Sequence, residues 1–335
     1  MRSLVFWLIL AGSAFANDGY SELGIGGLVL KNTDAISMDK EELYVSPSKI
    51  TVDYLMTNQT DKDVEALVMF PLPDVSLPAE YDSARGLVDL GRDLKFKTIV
   101  DGKPFPITLE QRAFVGEVDV TDAVVAAGLP VNGVVEKFEK LVLALPMETR
   151  QNLIKLGALP KYTDDAGNEA PYPPDLYFAP EWTIRSSMVR TQIFPAGKTI
   201  AVRHSYVPVT GASVGGNLAP DMRKQDFFTD KVKAHCIDDS WLASFDKQVE
   251  KRAQGDVTAS YSEVWVKYIL KSGATWKGPI KDFRLVVDKQ NKDSLVSFCS
   301  EGVKKIGPTQ FEVRKKEFEP TEDLNVLFIN WAAGE

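Results

Sequence analysis

Period-two alternation is the pattern that most limits what this chain can become. From Ile50, the side chains of Ile50, Val52, Tyr54 and Met56 alternate with Thr51, Asp53 and Leu55, and Val64, Ala66, Val68 and Phe70 resume the pattern after a polar run. Successive side chains of an extended strand point to opposite faces, so each run reads as a half-buried strand. The polar residues Asn58 to Asp63 between them predict a hairpin. Pro71 and Pro73 close the second strand, since proline cannot donate to a sheet ladder. The alternation returns at Ile200, with Ile200, Val202, His204 and Tyr206 on one face and Ala201, Arg203 and Ser205 on the other. Further strands are expected at 95–100, before an Asp101-Gly102 turn, and at 264–270, 283–287, 294–299, 311–314 and 324–329. Repeated short strands at such spacing predict a mainly β fold, an antiparallel β-sandwich with a helical insertion and a C-terminal β region.

Helical spacing is confined to three places. Asn132 to Leu145 and Pro146 to Leu156 form the insertion, with Pro146 suited to a first turn and Gly157 to a C-terminal cap. A third helix is expected from a cap at Asp239 or Ser240 to Gly255, with Trp241, Phe245 and Val249 on one side. Residues 161–182, dense in proline, aspartate and aromatic rings without a period, read as a long ordered loop. The expected organisation is an N-terminal β domain over 17–210, with its insertion at about 121–160, and a C-terminal β-sandwich region with one helix over 211–335.

The first residues set the compartment. Arg2 precedes the apolar stretch Leu4 to Ala11, and Ala14-Phe15-Ala16 supplies the small-x-small pattern of a signal-peptidase site. A signal peptide over 1–16 and a mature chain from Asn17 are expected. The apolar stretch is far shorter than the roughly 20 residues needed to span a bilayer, and no transmembrane segment is expected in the mature chain. Ser13 stands where a lipoprotein signal needs its cysteine, so no lipid anchor is expected. The protein should reach the periplasm or the cell exterior in soluble form. Its net charge of -8, more negative once Arg2 leaves with the leader, would repel phosphates and disfavours a nucleic-acid partner. Two cysteines in an oxidising compartment usually pair, so a Cys236–Cys299 bridge is expected. In the chain-entropy model such a loop is worth about 4 kcal/mol.

Several stretches together, Asn17-Asp18-Gly19, Gly26-Gly27-Leu28-Val29-Leu30, Phe70-Pro71-Leu72-Pro73 and Phe194-Pro195-Ala196-Gly197-Lys198 leading to His204-Ser205-Tyr206-Val207-Pro208, resemble the bacterial family known as domain of unknown function 4424. The resemblance covers most of the mature chain and implies an exported bacterial protein, without an activity or catalytic residues to carry over. The strands ending in Phe70-Pro71-Leu72-Pro73 also resemble, more weakly, vault/inter-α-trypsin-type β domains. The Asp-x-Ser-x-Ser motif of the adhesion domain that often accompanies that type is absent.

Motifs that suggest chemistry meet unfavourable contexts. Gly211-Ala212-Ser213-Val214-Gly215 matches the hydrolase pattern G-x-S-x-G, but Gly215-Gly216-Asn217 and Pro220 oppose the helix that a nucleophile elbow needs. Ser46-Pro47-Ser48-Lys49 has S-x-x-K spacing but opens a strand, and Gly197-Lys198-Thr199 lacks the first glycine of a phosphate loop, position 192 being Gln192. His204 and His235 are the only histidines, too few for a recognisable metal site, and the acidic run 164–169 lacks the order of a calcium loop. No metal or cofactor is expected. The rings Tyr162, Tyr172, Tyr177, Phe178 and Trp182 on the proline-rich loop either plug the sandwich edge or form a binding surface, with Tyr172, Tyr177 and Trp182 as candidate ligand contacts. The functional expectation is a non-catalytic protein that binds another protein or an envelope component. The alternatives are a secreted serine hydrolase using Ser213 and a carbohydrate-binding module using the 162–182 loop.

Overall fold

The structure, a computed structural model, describes residues 17–24, 27–77, 89–133, 138–163, 167, 170, 172, 179–253 and 259–332. The proposed leader, 1–16, lies outside them. The chain forms two compact units, the larger from Ala16–Pro73, Val88–Glu110 and Ser187–Glu335, the smaller drawing on Asp74–Leu87 and Gln111–Ser186. Strands dominate, and antiparallel sheets with few helices make this a mainly β protein.

The larger unit holds an eight-stranded sheet in the order Lys304–Lys305, Gln310–Phe318, Ile280–Asp288, Ile36–Val45, Ile50–Asn58, Thr199–Tyr206, Lys97–Val100 and Lys103–Phe105. All neighbours are antiparallel except Ile280–Asp288 and Ile36–Val45, a parallel pair that alternation could not announce. A second group sets Val64–Pro71 between Gly19–Gly24 and the part of Thr183–Phe194 that starts at Ser187. Alternation holds in detail: along Thr199–Tyr206 the residues Ile200, Val202, His204 and Tyr206 are buried.

The hairpin expected at 50–70 does not form. Ile50–Asn58 pairs with Thr199–Tyr206, while Val64–Pro71 pairs with Thr183–Phe194 in a different sheet. The two linkers are arches between sheets, and they are laced together. Asn58, fully buried, donates Nδ2 to the carbonyls of Phe194 and Lys62, both at 2.8 Å. Gly197 N donates to Thr60 O at 3.0 Å, and Ala196 N to Asp63 Oδ1 at 2.9 Å. Alternation states which face of a strand is buried, but not which sheet the strand joins. The core between the sheets is aromatic: Phe70 meets His204, Tyr206 and Tyr268 edge-on, with centroids 5.3, 5.7 and 6.2 Å apart.

A four-stranded sheet, Thr210–Ser213, Tyr261–Tyr268, Leu324–Trp331 and Leu295–Phe298, carries two helices. The expected helix forms over Asp239–Arg252, but its cap is Asp238, whose side chain accepts from Trp241 N at 2.7 Å, one residue before the expected Asp239 or Ser240, and Gly255 lies outside the described residues. The helix Asp226–His235 was not legible in the sequence, because it is short and ends on Cys236 in a left-handed conformation, φ +50°, instead of on glycine. Phe228, Ile237 and Phe245 pack with Leu327 and Ile329 of the sheet. Cys236 and Cys299 are joined by a disulfide, tying the end of this helix to the residue after Leu295–Phe298.

In the smaller unit, the helices Thr121–Ala126, Phe138–Leu143 and Met147–Lys155 fall in the expected insertion. Pro146 precedes the last of them, and Gly157 follows with φ +72° while Ala158 N closes back on Leu153 O at 2.9 Å. No helix among the described residues is long and apolar enough to cross a membrane.

Candidate functional site

The aromatic loop separates into parts with different fates. Trp182 is fully buried, donates Nε1 to Val131 O at 2.8 Å and meets Phe138 edge-on at 5.8 Å. It fills the core of the smaller unit and offers no surface to a ligand. Tyr177 and Phe178 lie outside the described residues. Tyr162 and Tyr172 instead line a cavity of about 440 Å³ in the smaller unit. Its other wall is one face of the helix Met147–Lys155, where Met147, Arg150, Gln151 and Ile154 follow i, i+3, i+4, i+7 spacing. The Tyr172 hydroxyl donates to Pro160 O, and burial pushes its pKa up to about 12, so the ring is neutral and fixed in place.

Arg150 sets this cavity apart. Its Nε is buried without a hydrogen-bond partner, and no ion pair engages its guanidinium among the described residues. The other described arginines are all occupied. Arg92, Arg112, Arg185, Arg190, Arg203, Arg223, Arg284 and Arg314 pair with carboxylates, and Arg252 lies over the Trp331 ring. A guanidinium presents a planar fork of donors that matches a carboxylate or phosphate. One that no described residue pairs, beside tyrosine rings, is equipped to hold an anionic group and stack the ring that carries it. The proline-rich loop signalled Tyr172, but no local pattern placed Arg150 on the same cavity.

A second polar centre lies in the larger unit. Arg190 grips Asp18 with two donors, at 3.1 and 2.7 Å, while His204 Nε2 lies 3.1 Å from Asp18 and its Nδ1 lies 3.0 Å from Thr98 Oγ1. Burial alone would raise the Asp18 pKa, yet Arg190 and His204 hold it well below the usual carboxylate range. Burial lowers the His204 pKa, leaving the ring neutral. The hydroxyl–imidazole–carboxylate order resembles a catalytic triad, but Asp18, Arg190 and His204 have no more than 3% exposure and Thr98 has 4%. A nucleophile must reach its substrate. These residues hold sheets together.

Ser213 ends the strand Thr210–Ser213 and is followed by Gly215 and Gly216 at φ +91° and +92°, not by a helix. Its hydroxyl accepts from Gly215 N at 3.4 Å and Asn217 Nδ2 at 3.2 Å. The strand partner Glu263 is bonded to Lys231, and His235 Nδ1 donates to Lys231 O at 3.0 Å. Among the described residues no histidine is hydrogen-bonded to Ser213. Gly215 serves close packing, since a Cβ there would lie 2.3 Å from Tyr261 O.

The family model described as "Domain of unknown function (DUF4424)" matches residues 16–327. The chain belongs to this family. None of the curated proteins matches it. Among solved structures, a Legionella pneumophila protein described as a candidate nutrient-binding protein is similar at 14% identity and a TM-score of 0.43, over 93% of this chain and 72% of that one. An M1 zinc metallopeptidase from Deinococcus radiodurans is similar at 7% identity and a TM-score of 0.28, over 89% of this chain and 43% of the peptidase. Likenesses of this strength assign no activity.

Proposed function

We propose that this is an exported, non-catalytic binding protein of the bacterial envelope, whose ligand is an anionic ring compound such as a carboxylated or phosphorylated sugar of an envelope polymer. The observation that carries the reading is Arg150, whose buried Nε has no hydrogen-bond partner and whose guanidinium pairs with no carboxylate among the described residues, on the wall of a cavity lined by Tyr162 and Tyr172. A stable fold gains nothing from holding a charge half out of water without a counter-ion. A ligand carboxylate supplies one, and the rings give it orientation. Calorimetric titration with soluble peptidoglycan fragments, which carry carboxylates, against neutral chitotriose tests the proposal. The anionic fragments should bind, and Arg150→Gln should weaken them at least about tenfold, the equivalent of one lost charge-assisted contact. Equal binding of chitotriose, or binding indifferent to Arg150→Gln, would overturn it.

A further inference from the structure

Asn17 and Asp18, where the expected mature chain begins, are both fully enclosed within the larger unit. Asn17 sits in a cage. Its Nδ2 donates to Glu41 Oε2 at 2.9 Å, its Oδ1 accepts from Tyr54 and Tyr268, and its backbone N and O both bond to the Ser272 hydroxyl. Trp276 Nε1 donates to Asp18 O at 2.6 Å. Gly273 makes the room, because a Cβ there would lie 2.5 Å from Asn17 Nδ2.

The charges in this interior balance only while Glu41 keeps its proton. Asp18 and Arg190 neutralise each other and His204 is neutral, but Glu41 is fully buried and its Oε1 has no partner. Burial pushes the Glu41 pKa up to about 8, the Asn17 amide holds it, Asp18 repels it, and no cation among the described residues acts on it. A buried carboxylate without a counter-charge is strongly unfavourable. The backbone nitrogen of Asn17 belongs to the residue that already grips Glu41. As an amide it has one donor, which Ser272 takes. As an α-ammonium, with an ordinary pKa near 8, it would carry a positive charge and two more donors.

We propose that removal of the leader creates a structural cation: the new α-ammonium of Asn17 pairs with Glu41 inside the larger unit and completes its fold. Water adds across the Ala16–Asn17 peptide bond, Ala16 leaves as a carboxylate, and Asn17 keeps the nitrogen as an ammonium. The released terminus stays inside the fold, with Tyr54, Tyr268 and Ser272 closing the cage. The proposal does not depend on what the Arg150 cavity binds.

The test compares a chain starting at Asn17 with one carrying a single extra alanine before it, each with and without Glu41→Gln. The extended chain should unfold on the order of 5–10 °C lower, as expected for a broken buried pair in a domain of this size. Glu41→Gln should cost the Asn17-start chain a similar amount and leave the extended chain no less stable. An equal effect of Glu41→Gln on both chains would overturn the proposal. The unmodified Asn17-start chain gives an independent reading. Its α-amine should acylate at least about tenfold more slowly folded than unfolded, in line with the population of an opened state. Equal rates, or an exported protein whose mass shows another first residue, would also overturn it.

Discussion

The Asp18 centre of the larger unit and the Arg150 cavity of the smaller one are made of similar parts, arginine and tyrosine among apolar side chains, and they differ in satisfaction. Around Asp18 the arginine has its carboxylate, the histidine has partners at both nitrogens, and solvent is excluded. Around Arg150 no described residue pairs with the guanidinium, its Nε is buried without a hydrogen-bond partner, and it lines a cavity of about 440 Å³. Interior charge that is fully paired specifies a fold. A charge at a cavity wall that no described residue pairs is what the proposed ligand would use.

The comparison breaks most visibly at the paired centre. Arg190→Met should strand Asp18 in the core and cost about 3 to 5 kcal/mol in urea unfolding. A loss below about 1 kcal/mol, the range of exposed pairs, would mean the pair is not the fastener described here. Trp182→Ala belongs in the same range, about 3 to 5 kcal/mol, because it empties a closed core. If instead Trp182→Ala left stability intact and removed ligand binding, the division of the aromatic loop would be wrong. Reducing the Cys236–Cys299 bridge should cost about 4 kcal/mol in the chain-entropy model, read as a shift in urea midpoint between oxidised and reduced protein.

The pH dependence sharpens the picture of the buried centre. Asp18 has a depressed folded pKa, so its contribution is present above the ordinary aspartate value near 3.8 and is lost as pH falls below it. Glu41 has the opposite sign in a chain whose Asn17 nitrogen is an amide. Its contribution is present below about 4.5 and lost as pH rises through about 8. Asp18, Arg190, His204, Tyr54 and Tyr268 face the same interior in both chains, so the difference made by Glu41→Gln isolates the glutamate. That difference should grow between pH 5 and 8 in the alanine-extended chain and stay flat in the Asn17-start chain. At the small end, Ser213→Ala should leave stability within about 0.5 kcal/mol and a fluorophosphonate probe should not label Ser213, whose hydroxyl only accepts from the glycine-rich loop. Stoichiometric labelling would restore the hydrolase reading.

What could be read from the sequence was local. Ile200 to Tyr206 announced its buried face because every second residue is apolar, and Met147–Lys155 announced itself through Pro146 and Gly157. The strand Ile36–Val45 gave no such signal. A bulge between Met38 and Lys40 breaks the alternation, and Asp39-Lys40-Glu41-Glu42 looks like a solvated charge run, although Glu41 points inward. Its reason for being inside is Asn17, 24 residues away, and Tyr268 and Ser272, far later in the chain. The same limit hid Arg150, which looks like any helix-surface arginine until the fold shows its Nε buried without a hydrogen-bond partner. Unpairedness belongs to the fold, and no local pattern encodes it.

One paired experiment bears most directly on the contrast between the two centres: calorimetric binding of an anionic peptidoglycan fragment and thermal unfolding, both measured on Arg150→Gln. Binding should weaken at least about tenfold while the melting temperature moves by less than about 2 °C, the mark of a charge that serves a ligand. A melting temperature that falls sharply, with binding unchanged, would show that Arg150 is one more fastener and that the cavity is not the site.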